Sequence, residues 1–178
     1  MLRNIWYFAL AARDLRAGKL VHREICGAPI VFARTPDGAA FALRDNCPHR
    51  GAPLSEGCMR GNDVECCYHG WTFDSAGQCT SIPALVADDP VDLSKITVQS
   101  FPVRERQGLI WIWVGDGDGA DTPIPEVPDV GNAAPQIVHE LDFPVSIDHA
   151  VVGLIDPAHT PHVHESWWWR RPGERRDK

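Results

Sequence analysis

Two short segments constrain this chain more than any other feature: Cys47-Pro48-His49, and Cys66-Cys67-Tyr68-His69 after a gap of sixteen residues. Each offers one thiolate and one imidazole, so together they supply two soft sulfur and two nitrogen ligands. Two kinds of centre use such a set. A structural zinc ion takes Cys2His2. A two-iron, two-sulfur cluster takes it when two His replace two Cys on one iron, which raises the potential. Zinc-finger spacing pairs Cys with Cys and His with His, whereas each segment here contributes one of each. The spacing therefore favours iron and sulfide; a colourless, zinc-loaded protein would reverse that reading.

The residues around the pairs narrow the choice. Cys47-Pro48-His49-Arg50-Gly51-Ala52-Pro53-Leu54 and Cys66-Cys67-Tyr68-His69-Gly70-Trp71-Thr72-Phe73-Asp74 closely resemble the two cluster-binding loops of Rieske-type oxygenases. The resemblance implies a 2Fe-2S cluster with one iron on Cys47 and Cys66 and the other on His49 and His69. High-potential relatives tie the two loops with a disulfide. Here the corresponding positions look like Ala52 and Tyr68, which implies the low-potential, oxygenase kind of centre in a reducing cytoplasm. Trp6-Tyr7 also matches the opening of many members of this family.

Composition sets the outer bounds. With 44% hydrophobic residues in 178, the chain can bury a core in one domain and part of a second. A formal net charge of −7 argues against a general nucleic-acid or membrane-surface binder, since both need positive fields. Cys26, Cys58, Cys67 and Cys79 show no disulfide-framework spacing. The apolar run at the start is too short for a signal peptide, and Arg13-Asp14 follow at once. No stretch approaches the ~20 apolar residues of a membrane span.

Residues 21–25, 29–33 and 40–43 carry the β-branched and aromatic residues of strands, with Thr35-Pro36-Asp37-Gly38 as a turn. A Pro- and Gly-rich loop over 46–61 carries the first pair. Val64-Glu65 leads into the second, residues 71–73 form a strand, and Asp74-Ser75-Ala76-Gly77 turns it back toward 78–82. Residues 96–103 and 109–114 read as a closing antiparallel pair, the second apolar on both faces and so buried. The expected fold is mainly β: a small antiparallel β-sandwich over 1–115 with the cluster loops at one end. A Gly-, Asp- and Pro-rich linker or irregular connection follows over 116–135, then the beginning of an α+β catalytic domain over 136–178.

The run Asp156-Pro157-Ala158-His159-Thr160-Pro161-His162-Val163-His164 forms a third constellation. Residues 145–155 have apolar residues at helical spacing, and continuing that helix would place Asp156 and His159 on one face. Pro157 makes the helix kinked or irregular there. Alone, the pattern would be explained as often by core or surface histidines as by metal. Downstream of the paired loops it resembles the Asn-x-x-Asp-x-x-His-x-x-x-x-His motif of Rieske oxygenase α subunits, with Gly153 replacing the leading Asn. The resemblance implies that His159 and His164 bind a mononuclear Fe(II). It makes Asp156 a bridge to the cluster His of a neighbouring subunit, His69. His162 is then a pocket or surface residue, and His22, His139 and His149 are solvated or hydrogen-bonded. In the resembled family the third, carboxylate ligand lies far downstream in the catalytic domain, so the resemblance implies that it is not in this chain; Glu165, Glu174 and Asp177 lie too close to His164 and too near the terminus to stand in for it. Trp167-Trp168-Trp169 read as the opening of a domain cut short.

The resemblance is nearest to the group that includes vanillate and dicamba O-demethylases, with ring-hydroxylating dioxygenases close behind. It implies an oxygenase component that hydroxylates or O-demethylates a small, aromatic substrate with O2. Electrons would come from NAD(P)H through a reductase, with or without a ferredoxin, and the full-length protein would be a homotrimer. The alternative is a Rieske ferredoxin-like electron carrier with no substrate of its own.

Overall fold

The computed structural model describes residues 2–86, 90–126, 128, 141, 143–156, 158 and 163. The chain divides into two compact units, Met1–Ala134 and Pro135–Lys178.

The first unit is three small antiparallel sheets. Strands β2 (Leu20–Ile25), β3 (Ala28–Arg34), β4 (Ala40–Arg44) and β9 (Ser100–Phe101) make one sheet in the order β2-β3-β4-β9. Ile25 faces Ala28 across a two-residue Cys26-Gly27 loop. Both loop residues have positive φ, 56° and 72°, the requirement of the hairpin turn whose twist suits its strands. Along β3 the side chains alternate between two cores: Ile30 and Phe32 on one side, Val31 and Ala33 on the other. A strand buried on both faces reads as a continuous apolar run, which is how the sequence betrays it.

On one face lies a sheet of β1 (Ile5–Ala11), β11 (Leu109–Val114) and β10 (Val103–Arg106), with β11 central. Leu10, Ile110 and Ile112 pack toward Ile30 and Phe32. The opposite side of β11 carries Trp111 and Trp113, which cluster with Trp6 and are covered by Ile124. The Trp6 indole N–H donates to the Thr122 carbonyl at 2.9 Å and the Trp113 indole N–H to the Asp116 carbonyl at 3.1 Å. The Gly- and Asp-rich stretch after β11 is thus an irregular connection fastened back onto the β1-β11-β10 sheet over 116–126.

The other face of the first sheet packs against β5 (Cys58–Arg60), β6 (Asp63–Glu65), β7 (Thr72–Phe73) and β8 (Cys79–Ser81), paired in sequence order. Val31, Leu43, Leu54, Val64 and Phe73 form the shared core. Each fully buried side chain of this size contributes about 1.5–3 kcal/mol of transfer free energy, and this core lies directly beneath the paired loops.

Two expectations need correction. Residues 96–103 are not one strand paired with β11. Ser100–Phe101 pairs with β4, and after Pro102 the pairing with β11 passes to Val103–Arg106, because proline has no N–H to continue a ladder. Nor is 46–61 wholly loop, since Cys58–Arg60 forms the edge strand β5.

In the second unit the helix α1 spans Ile147–Ile155. Asp156 does not continue it. Its backbone lies at φ −88°, ψ 99°, and its carboxylate accepts from the Ala158 N–H at 2.8 Å. A proline's Cδ disfavours helical geometry in the residue before it, consistent with a helix that stops at Ile155, one residue before the metal-motif acid. Among the described residues no helix is long and apolar enough to cross a membrane.

Candidate metal centre

The two segments singled out in the sequence fold into the same local shape. The Cys47 N–H donates to the Ala52 carbonyl at 2.8 Å, and the Gly51 N–H returns to the Cys47 carbonyl at 2.8 Å. The Cys66 N–H donates to the Trp71 carbonyl at 2.8 Å, and the Gly70 N–H returns to the Cys66 carbonyl at 3.0 Å. Each is a hairpin loop with Gly four residues after Cys. Gly51 and Gly70 have φ of 75° and 71°, left-handed values that side chains resist. The histidines differ by one place, two residues after Cys in the first loop and three in the second.

This geometry buries the sulfurs and brings the imidazoles together. Cys47 and Cys66 are 2% and 3% exposed, at the end of the core built on Leu54, Val64 and Phe73. Their thiols interact directly. Burial pushes the Cys47 thiol up to about 11, against the lowering effect of the His49 and Arg50 N–H groups that point at its sulfur. The His49 and His69 rings lie edge to face, with centroids 4.5 Å apart. Burial, with His69 and Arg50 nearby, lowers the His49 pKa and so favours the neutral, ligating imidazole.

These groups fit a two-iron cluster. His49 Nδ1 is buried without a hydrogen-bond partner, an arrangement costing about 1–3 kcal/mol unless something else occupies the lone pair. A metal ion answers that need. Thiol meets thiol and imidazole meets imidazole, the two-plus-two division that suits a two-iron centre. The four remaining cysteines are free thiols: Cys58 and Cys67 are exposed, Cys79 is buried in the same core, and Cys26 is half-buried against the other core.

Supporting residues carried no signal in the sequence. Asp45, 5% exposed, accepts from the Ser55 N–H at 2.7 Å and the Ser55 hydroxyl at 2.6 Å, while His22 Nδ1 lies 2.6 Å from the same carboxylate. Asp45 precedes the first hairpin and Ser55 follows it, so one carboxylate gathers both ends. His22 is the hydrogen-bonded histidine expected of it. Trp71 lies parallel to the His49 ring, at 1° and 4.5 Å, and Tyr68 leans on His69 at 4.0 Å. An aromatic next to His-Gly was visible in sequence, but its partner across the site was not. Of the third constellation Asp156 is described, while His159 and His164 lie outside the described residues, as do His162 and His139.

Comparison with known proteins agrees with this architecture. The family model of the Rieske [2Fe-2S] domain matches residues 5–102. The oxygenase component of dicamba O-demethylase from Stenotrophomonas maltophilia is 38% identical over 169 residues, covering 93% of this chain and 48% of that protein. Chlorophyllide a oxygenase of Chlamydomonas reinhardtii is 36% identical, covering 95% of this chain and 25% of that one. The crystal structure of apo dicamba monooxygenase superposes with a TM-score of 0.64 and 43% identity, over 71% of this chain and 38% of the other. The chain therefore spans about half, or less, of the length of these relatives. With the family match enclosing both Cys/His hairpins and more than half of the 178 residues, the protein belongs to the Rieske [2Fe-2S] domain family.

Proposed function

We propose that Cys47, His49, Cys66 and His69 hold a [2Fe-2S] cluster, and that the chain acts in the oxygenase component of a Rieske mono- or dioxygenase. When bound, such a cluster stores and passes one electron. The buried thiolates anchor one iron in the core, and the neutral imidazoles take the other at the surface. His69, exposed, has an outer ring nitrogen that can donate to a carboxylate. Asp156 of a neighbouring subunit in a homotrimer is the acceptor in this reading, and it leads to His159 and His164 as ligands of a mononuclear Fe(II). The substrate is a small, aromatic molecule that is hydroxylated or O-demethylated with O2. NAD(P)H supplies electrons through a reductase, directly or by way of a ferredoxin, in the cytoplasm.

The observation that carries the oxygenase reading over a ferredoxin-like carrier is the reach of the similarity. The Rieske match ends at residue 102, but the likeness to the dicamba O-demethylase component covers 93% of the chain. A carrier needs nothing beyond its cluster domain.

Metal counting tests the proposal. The iron-loaded protein is expected to hold two irons with two labile sulfides, both lost in Cys47→Ser and His69→Ala, plus, in a full-length version that carries the carboxylate ligand, a further iron lost in His159→Ala alone. An iron content that His159→Ala leaves unchanged would return the chain to the carrier class. Retention of the cluster by Cys47→Ser and His69→Ala together would refute the ligand assignment.

A further inference from the structure

We propose that Trp71 is a positioning residue for the cluster: its indole fixes the His49 ring and screens the iron it binds from water, setting the lifetime and reduction potential of the centre. The inference rests on the ligand assignment above and adds a residue to it.

The two imidazoles are not equivalent. His49 contacts two rings, Trp71 parallel to it at 4.5 Å and His69 edge to face at 4.5 Å. Its Nδ1 is buried and has no protein partner. His69 is exposed, and its contact with Tyr68 is tilted by 35°. Trp71 is itself well anchored. Its carbonyl closes the second hairpin by accepting from the Cys66 N–H at 2.8 Å, and its side chain packs on the core beneath the site. His49 belongs to the first hairpin, so the stack ties the two loops across the centre.

Two physical consequences follow. The outer torsion of a histidine is broad and roughly two-fold, so an unsupported ring exchanges its two nitrogens by rotation. A parallel indole blocks that rotation and keeps Nδ1 aimed inward. The second consequence is electrostatic. Two ferric ions, two sulfides and two thiolates are together neutral, and accepting one electron makes the centre singly negative. Excluding water on the His49 side disfavours the charged form, and solvent exposure is among the factors that set the potential of such clusters. Trp71 therefore holds the potential down.

The test compares cluster-loaded wild-type protein with Trp71→Ala and Trp71→Phe at one fixed pH. An aromatic pair contributes about 0.5–1.5 kcal/mol, which converts to about two- to tenfold at about 1.36 kcal/mol per decade. Trp71→Ala is expected to lose its visible absorbance to an iron chelator that much faster, with an upward shift in midpoint potential and altered electron paramagnetic resonance g values. Trp71→Phe, which keeps a ring face, should lie close to wild type in all three. Ile112→Val, in the separate core of Leu10 and Ile30, controls for a general loss of stability and should leave the potential unmoved. Should Trp71→Ala fail to fold, Trp71→Leu keeps bulk without a ring face, and the same changes are expected of it. A loaded, folded variant with unaltered potential and chelation rate would overturn the inference and leave the ligand assignment standing. Wild-type protein that takes up no cluster would sink both.

Discussion

Asp45 offers the most direct test of how the first ligand loop is held. Its buried carboxylate receives two bonds from Ser55, at 2.7 and 2.6 Å, and lies 2.6 Å from His22 Nδ1. In Asp45→Ala the Ser55 N–H loses its acceptor at the base of the hairpin. A hydrogen bond to a charged group contributes about 1.5–3 kcal/mol, and a stranded buried donor costs about 1–3 kcal/mol. These do not add in full, because the half-exposed His22 side chain regains water. The expected loss is about 2–4 kcal/mol, less than the two contributions summed. That is a large part of the roughly 5–15 kcal/mol that holds a domain folded. Urea unfolding of the metal-free protein, followed by tryptophan fluorescence, should show a midpoint lower by about 1 M or more, given slopes of about 1–3 kcal/mol per molar. Asp45→Asn keeps one acceptor for the Ser55 N–H and should lose less. A change below about 1 kcal/mol in Asp45→Ala would show that the hairpin's own backbone bonds suffice, refuting the clasp.

Three further outcomes can be checked. The Cys47 thiol keeps its proton up to a pH of about 11 in the metal-free protein, so iron binding must expel it. Cluster assembly should strengthen as pH rises, with proton release measurable in weakly buffered solution; no release between about pH 7 and 9 would contradict this. The metal-free fold has the opposite dependence. A raised thiol pKa adds stability that is fully present below its ordinary value of 9.0 and is lost as pH climbs through about 11. In Gly119→Val, a Cβ would stand 2.5 Å from the Trp113 ring on a backbone of φ 68°. The stretch 116–126 should detach, reddening tryptophan emission and admitting protease cleavage there at a cost of about 1–2 kcal/mol; unchanged emission and cleavage would mean that the tryptophan cluster does not hold it.

Much of the cluster domain is legible in the sequence because it is decided locally. Strands β2 to β4 carry their own β-branched residues and turn chemistry, and each hairpin carries its ligands within six residues, with Gly51 or Gly70 at the place where positive φ is needed. The end of α1 was legible only in part: Pro157 disfavours helical geometry at Asp156, but a kinked continuation carrying Asp156 and His159 on one face was the expectation, and the helix stops at Ile155. Other features had no local signature. β1 is an apolar opening until it pairs with β11, about a hundred residues away. The apolar faces of β11 look alike until one meets Leu10 and Ile30 and the other meets Trp6 and Ile124.

By itself, then, the chain's order of residues determines the donor atoms, their grouping into two short hairpins and the chemistry those donors suit. Folding in three dimensions decided that two of the sulfurs are buried, that His49 lies against Trp71 while His69 stays open, and that Asp45 reaches Ser55. The physical reason is range. Turn geometry and ligand identity arise between covalent neighbours, whereas burial, stacking and buried hydrogen bonds exist only once distant segments share one core.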